Sequence, residues 1–243
     1  MLQRPLFSRF SLFWTGLIFA FLFALARGTA MLQNTLAFLL PLSFVIMTLL
    51  PFVFLTREGR KAAGISKAQH SSFYLTAVIW GIALAVCCYG LGTMLFDYSE
   101  DHWFMTIKRF YQQNPGYNAK ESLFGLFLIF TIPAMIFSPW GEEIFFRGFL
   151  HLALQQKVSD KNSGLIEAAI FGIVHVFHHG LVMQQGQIRF YPLSGLIWIV
   201  LMFGVAMAFL WLKRKSGSIY PAIVAHAIFN LTMNWIIFYQ MPD

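Results

Sequence analysis

The chain is divided from end to end into apolar runs of about twenty residues, and nothing else constrains its fold as strongly. A helix rises about 1.5 Å per residue, so a hydrocarbon layer about 30 Å thick is crossed by about 20 mostly apolar residues. Seven such runs can be drawn, near 11–27, 35–55, 72–96, 123–154, 163–183, 192–212 and 218–240. The fourth is too long for one straight crossing and contains Pro133 and Pro139, so it is expected to kink or break. The fold expected is all-α, a polytopic transmembrane bundle of about seven to eight helices, with residues 1–243 forming a single membrane domain.

Composition agrees. Hydrophobic residues make up 58% and charged residues 11% of the chain, against roughly a quarter charged in an average soluble domain. The net charge of +7 is spread in short clusters between the runs. With no basic helix face or aromatic RNA-binding motif, nucleic acid is not an expected partner. Cys87 and Cys88 are adjacent inside an apolar run, where thiols serve as small hydrophobes rather than as a disulfide framework. The first run also fits a cleavable secretory signal, through Arg4, Arg9 and the small-x-small triplet Ala24, Leu25 and Ala26; its length favours a span.

Cytoplasmic loops carry the excess of Lys and Arg. With the N-terminus inside, eleven fall on the cytoplasmic side: Arg4, Arg9, Arg57, Arg60, Lys61, Lys67, Lys157, Lys161, Lys213, Arg214 and Lys215. Five fall opposite: Arg27, Lys108, Arg109, Lys120 and Arg189. The expectation is a multi-pass protein of the cell inner membrane with a cytoplasmic N-terminus. The stretch 98–121 mixes charge with Trp103, Phe104, Phe110, Tyr111 and Tyr117, and reads as an interfacial lid or spacer.

A charged group at the centre of a membrane helix costs at least about 2.5 to 3.5 kcal/mol, so each one marks a candidate site. Three clusters qualify. In the first, Glu143 and Arg147 lie four residues apart on one helical face, while Glu142 is rotated by about 100°. One carboxylate can pair with the arginine and the other stays free for proton transfer. The second places His175 four residues after Phe171, with His178 and His179 towards the end of the run and Glu167 one turn before Phe171. Imidazole there can share a proton with a carboxylate and a water molecule; His178 and His179 are expected at the interface. The third sets His226 and Asn230 on one face, both able to donate towards a developing oxyanion, worth about 3 to 4 kcal/mol per donor. Asn234 extends that face as part of an interhelical clamp.

In this order, on separate helices, the Glu-Glu-x-x-x-Arg, Phe-x-x-x-His and His-x-x-x-Asn segments resemble the signature motifs of the CAAX-protease and bacteriocin-processing (Abi) family of intramembrane endopeptidases. The resemblance covers about 122–235, the catalytic motif region. It implies that Glu142, aided by His175, activates water, that His226 and Asn230 stabilise the oxyanion, and that Glu143 and Arg147 form a supporting pair. It also implies a peptide or protein substrate, lipidated in some relatives, cleaved near the bilayer. No His-Glu-x-x-His segment supplies zinc ligands, so a metal-independent glutamic mechanism without cofactor is expected over zinc. Counting along the fourth run puts Glu142 in its inner half, so the reaction cavity is expected to open towards the cytoplasm. A proton-coupled transporter would also bury Glu, Arg and His, but no repeated halves are visible. A non-catalytic scaffold or immunity protein would have no need of the intact motif set.

Overall fold

The computed structural model describes residues 2–114, 117 and 120–242. Nine helices are present among them, together with short 3₁₀ turns and one two-stranded hairpin. Helices α1 (Leu12–Leu32), α2 (Leu39–Phe54), α3 (Arg57–Ala62), α4 (Ser72–Phe96) and α5 (Trp103–Gln113) precede the segment that carries the motifs. Helix α6 runs from Leu123 to Leu154, α7 is Asp160–Val174, α8 is Pro192–Ser216 and α9 is Tyr220–Tyr239. Strands β1 (Leu181–Gln184) and β2 (Gln187–Phe190) pair antiparallel between α7 and α8. Helices α1, α4, α6, α8 and α9 are long and apolar enough to cross a membrane, and α2 is a shorter apolar helix of 16 residues.

Two of the seven apolar runs take forms that apolar content alone does not reveal. The fifth, read as a span over 163–183, is helical only to Val174, turns through a 3₁₀ segment at His175–Phe177, and ends in the hairpin. Gly180, at φ +122°, makes the turn that a continuing helix excludes. The fourth run does not break at its prolines. It stays continuous and passes into a π-helical stretch at Glu143–Leu150, immediately after Pro139 and Glu142. Every residue of that stretch is buried.

Within lipid, apolar faces gain little by meeting one another, so helices associate where small side chains let backbones approach. Helix α4 shows this. Its buried residues are Ala77, Gly81, Ala85, Cys88 and Gly92, a stripe of small side chains at spacings of three and four, and α9 lies along it. A Cβ at Gly81 would stand 2.6 Å from the Ala225 carbonyl oxygen, so this crossing tolerates no side chain there. The same holds where α2 meets α6, since a Cβ at Gly141 would stand 2.7 Å from the Phe44 backbone.

Helix α5 is not a surface spacer. Trp103 to Ile107 are buried, Trp103 stacks on Trp198 at 5.6 Å, and its indole N–H donates to the Cys88 carbonyl at 3.1 Å. An aromatic ring with one polar edge fills space between helices while that edge finds a partner. Residues 115, 116, 118 and 119 of the aromatic stretch lie outside the described ones. A polar clasp holds α5 down: Thr106 Oγ1 and His179 Nδ1 are 2.8 Å apart, His179 Nε2 and Ser194 Oγ are 2.9 Å apart, and Ser194 Oγ donates to Asp101 at 2.8 Å.

The eleven cytoplasm-assigned cations gather at one end of the bundle. Backbone bonds tie Arg4 to Phe54, Gln69 to Ser216 and Ile219 to Gly64, and Arg214 pairs with Asp160 at 2.6 Å. At the other end, which carries α5 and the hairpin, stand Lys108, Arg109, Lys120 and Arg189. Arg27 belongs to neither end. It lies inside α1, 6% exposed.

Burial lowers His102, beside the clasp, and His179, within it, to about 4, from an ordinary value of about 6.5. Both rings are then neutral when folded and bind protons when unfolded, so the stability they contribute is full above about pH 6.5 and is lost as pH falls towards about 4. The thermal midpoint in detergent is expected to drop across that window, and a His102→Gln, His179→Gln variant to drop less steeply. An unchanged slope would remove these rings from the effect.

Candidate active site

The two adjacent carboxylates of α6 face different partners. Glu142 is 1% exposed and meets Arg27 of α1: Arg27 Nη2 donates to Glu142 Oε1, which also accepts from Ser138 Oγ at 3.3 Å. Its second oxygen, Oε2, is buried, has no hydrogen-bond partner, and stands 4.0 Å from His175 Nε2. His175 Nδ1 is 2.6 Å from the Phe171 carbonyl. A carbonyl only accepts, so Nδ1 carries the proton and Nε2 presents its lone pair. Arg27 Nη1 lies 3.2 Å from that Nε2.

Glu143 turns the other way. Its Oε1 is 2.8 Å from His226 Nδ1, and its Oε2 is 3.2 Å from Arg147 Nε. Arg147 is also 3.8 Å from Glu167, and its backbone carbonyl accepts from Lys213 Nζ at 2.5 Å. Glu143, Arg147 and Glu167 are all fully buried. The expected pairing of Glu143 with Arg147 is therefore present, with Glu167 as a second acid beside the same cation.

Phe171 separates the two groups. Its ring lies 4.3 Å from the His175 ring on one side and 4.1 Å from the Arg147 guanidinium carbon on another. The negative face of an aromatic ring attracts a cation, by about 2 kcal/mol or more when desolvated. The aromatic residue of the second motif is thus a wall between the ion pairs.

On α9, Asn230 Nδ2 donates to the Ala134 carbonyl at 2.9 Å, which leaves its second N–H. Since Glu143 takes the proton of His226 Nδ1, Nε2 is the ring atom left for the cavity. Asn234 bonds Thr131 and accepts from the Tyr111 hydroxyl, a clamp joining α9 to α6 and α5.

A cavity of about 290 Å³ adjoins Arg27, Ser138, His175, His226 and Asn230. It does not reach the end of the bundle that carries the eleven cations. From the site it climbs past Met31, Leu40, Ile107, Tyr111, Phe130 and Met233, towards α5 and the hairpin. Below the site the buried π-helical stretch fills the bundle with Phe145, Phe146, Phe149 and Leu150. The cavity thus leads away from the end that carries the eleven cations, and the depth of Glu142 along α6 does not decide which end of the bundle it faces. At its side, between α2 and α6, the cavity is bordered by the exposed residues Pro41, Pro133 and Phe137.

All six motif residues thus converge from α6, α9 and the junction after α7, with Glu142 and His175 on one side of Phe171 and Glu143, Arg147 and His226 on another. His178, expected at the interface, lines the cavity instead, its ring 5.0 Å from that of His175. His179 is held in the clasp away from the site. Arg27 is not the loop cation that the end of the first apolar run suggests: Gly28 to Leu32 continue the helix beyond it. Among the described residues no three His, Cys, Asp or Glu side chains stand together as a metal-ligand set.

Five helices among the described residues that are long and apolar enough to cross a membrane, packed around a buried acid, histidine and asparagine cluster, define a multi-pass integral membrane protein. A family model described as type II CAAX prenyl endopeptidase, Rce1-like, matches residues 124–232 of the chain. All six motif residues lie within the match; Arg27 lies outside it. No curated protein and no solved structure matches the chain.

Removing one member of a buried ion pair costs about 3 to 5 kcal/mol, because the partner is left uncompensated. Arg147→Met is therefore expected to destabilise the protein by about that much, and adding Glu143→Gln to recover part of the loss in thermal unfolding. Additive losses would mean that the pair is not coupled.

Proposed function

We propose that this protein is an intramembrane glutamic endopeptidase that hydrolyses a peptide bond of a membrane-associated protein or peptide. The observation that carries this reading is the free, buried oxygen Oε2 of Glu142 facing His175 Nε2 across 4.0 Å, with His175, His226 and Asn230 lining the adjacent cavity. A water in this gap can donate to the unpartnered Glu142 Oε2 while lying beside His175.

Glu142 Oε2 takes a proton from this water as its oxygen bonds to the substrate carbonyl carbon, and the carbonyl π pair moves onto oxygen. The free Asn230 N–H and His226 Nε2–H hold that oxyanion. His226 has a proton on Nε2 as well as Nδ1 only as the imidazolium, and Glu143 is its counter-charge. Collapse re-forms the carbonyl and breaks the C–N bond, and the proton on Glu142 passes to the leaving nitrogen. Every proton that moves returns to a product, and no step requires a metal ion.

The family match supports a CAAX-type substrate, and the apolar cavity suits a lipidated or apolar segment. The charge distribution supports a cytoplasmic N-terminus: once Arg27 is assigned to the site, the split of Lys and Arg between the two ends is sharper than the loops alone indicate. In that orientation the cavity rises towards the non-cytoplasmic leaflet, and cleavage takes place from that side.

Reconstituted protein is expected to cleave fluorogenic membrane peptides, with Glu142→Gln reducing the rate by about 10² to 10⁴ and strong chelators leaving it unchanged. Wild-type cleavage no greater than that of Glu142→Gln, on prenylated and unprenylated peptides alike, would refute the reading. For orientation, with Cys87 and Cys88 replaced by Ala, a cysteine introduced by Gln185→Cys should react with an impermeant thiol reagent in intact cells, and one introduced by Lys61→Cys only after lysis. The reverse pattern would invert the topology.

A further inference from the structure

Arg27 has no role in the three motifs and lies outside the segment the family model covers. A guanidinium on an apolar helix carries the full cost of a membrane charge unless something offsets it. Here the offset is specific. One terminal nitrogen donates to Glu142 Oε1, and the other approaches His175 Nε2 at 3.2 Å. The guanidinium carbon stands 5.9 Å from the centre of the Phe44 ring.

The backbone of α1 is fitted to this task. Gly28 follows Arg27, and a Cβ there would stand 2.7 Å from the Phe177 ring, in the 3₁₀ turn that begins with His175. The missing side chain lets α1 lie against that turn, so the spacing between Arg27 and His175 is set by backbone packing as well as by the side-chain contacts.

We propose that Arg27 is a positioning residue of the catalytic site. Its planar fork takes one acceptor from α6 and one from the end of α7, and so fixes the gap between Glu142 and His175 in which the attacking water is held. It is also the counter-charge of the catalytic carboxylate, as Arg147 is of Glu143. A lysine, with a point charge and no fork, keeps the charge but cannot reproduce both directed contacts.

The kinetic consequence rests on the protease reading, so the test has one arm that does not depend on activity. In reconstituted protein Arg27→Ala is expected to lower kcat by about 10²-fold, the scale of a catalytic group misplaced by about 1 Å, with KM changed less than threefold. Arg27→Lys should fall between, and millimolar guanidinium should restore part of kcat to Arg27→Ala but not to Glu142→Gln. A kcat within threefold of wild type in Arg27→Ala, or a loss carried by KM with no rescue, overturns the proposal.

For the second arm, an apolar carbodiimide attacks protonated buried carboxyls and spares one held in an ion pair. Mass spectrometry should find Glu142 unmodified in the wild type and modified in Arg27→Ala. Equal modification of Glu142 in the two proteins overturns the pairing. If the wild type cleaves no peptide, the protease reading fails, and this labelling still decides whether Arg27 governs Glu142.

Discussion

The structure depends on the neutralisation of charge at membrane depth. Two carboxylates adjacent in sequence, Glu142 and Glu143, are buried side by side on α6, and neither is stable there without a cation. Each receives its own: Arg27 from α1 and Arg147 from one turn further along α6. The rest of the bundle follows from supplying these partners. Helix α1 must lie against α6 to deliver Arg27, α9 must present His226 to Glu143, and α7 must end beside Glu142 to offer His175. Apolar surfaces in lipid select no particular arrangement of helices, because lipid chains satisfy them equally well. Directed contacts between buried charges do select one.

Much of this was legible in the sequence, for a definite reason. Ionisable residues inside long apolar runs are costly enough to stand out, and their spacing on a helix fixes which of them share a face. That argument predicted the pairing of Glu143 with Arg147 and the separate direction of Glu142. It failed at Arg27 because hydropathy treats an arginine as the end of a run, whereas α1 continues for another turn with Gly28, Thr29 and Ala30. The fifth run was misread because apolar content does not distinguish a spanning helix from a short one that ends in a 3₁₀ turn and a hairpin. Gly180 was the local signal for that turn. The direction of the cavity was not legible at all, since it is decided by which end of the bundle the phenylalanines of the π-helical stretch fill.

That stretch also bears on the chemistry. Pro139 has no backbone N–H to donate, and the helix carries on into π-helical geometry rather than ending. The widened turn begins at the residues that must point in different directions, and it buries Phe145, Phe146 and Phe149 beneath them. Site and seal are thus built from one continuous piece of backbone. Phe171 completes the separation by standing between His175 and the Arg147 guanidinium, so each carboxylate interacts chiefly with its own cation and its own histidine.

Helix α4 shows how a segment with no chemical group near the reaction can still govern it. Its stripe of Ala77, Gly81, Ala85, Cys88 and Gly92 lets α9 lie almost backbone to backbone against it, and the carbonyl closest to Gly81 is that of Ala225, the residue before His226. The height and rotation of His226 above Glu143 are therefore calibrated by the absence of side-chain volume on a different helix. The lipid-facing side of α4 is free to vary among apolar residues, but the stripe obeys a size limit. Exceeding that limit at Gly81 would displace α9 as a rigid rod and detune the histidine and Asn230 together, a catalytic lesion arising where no catalytic residue stands.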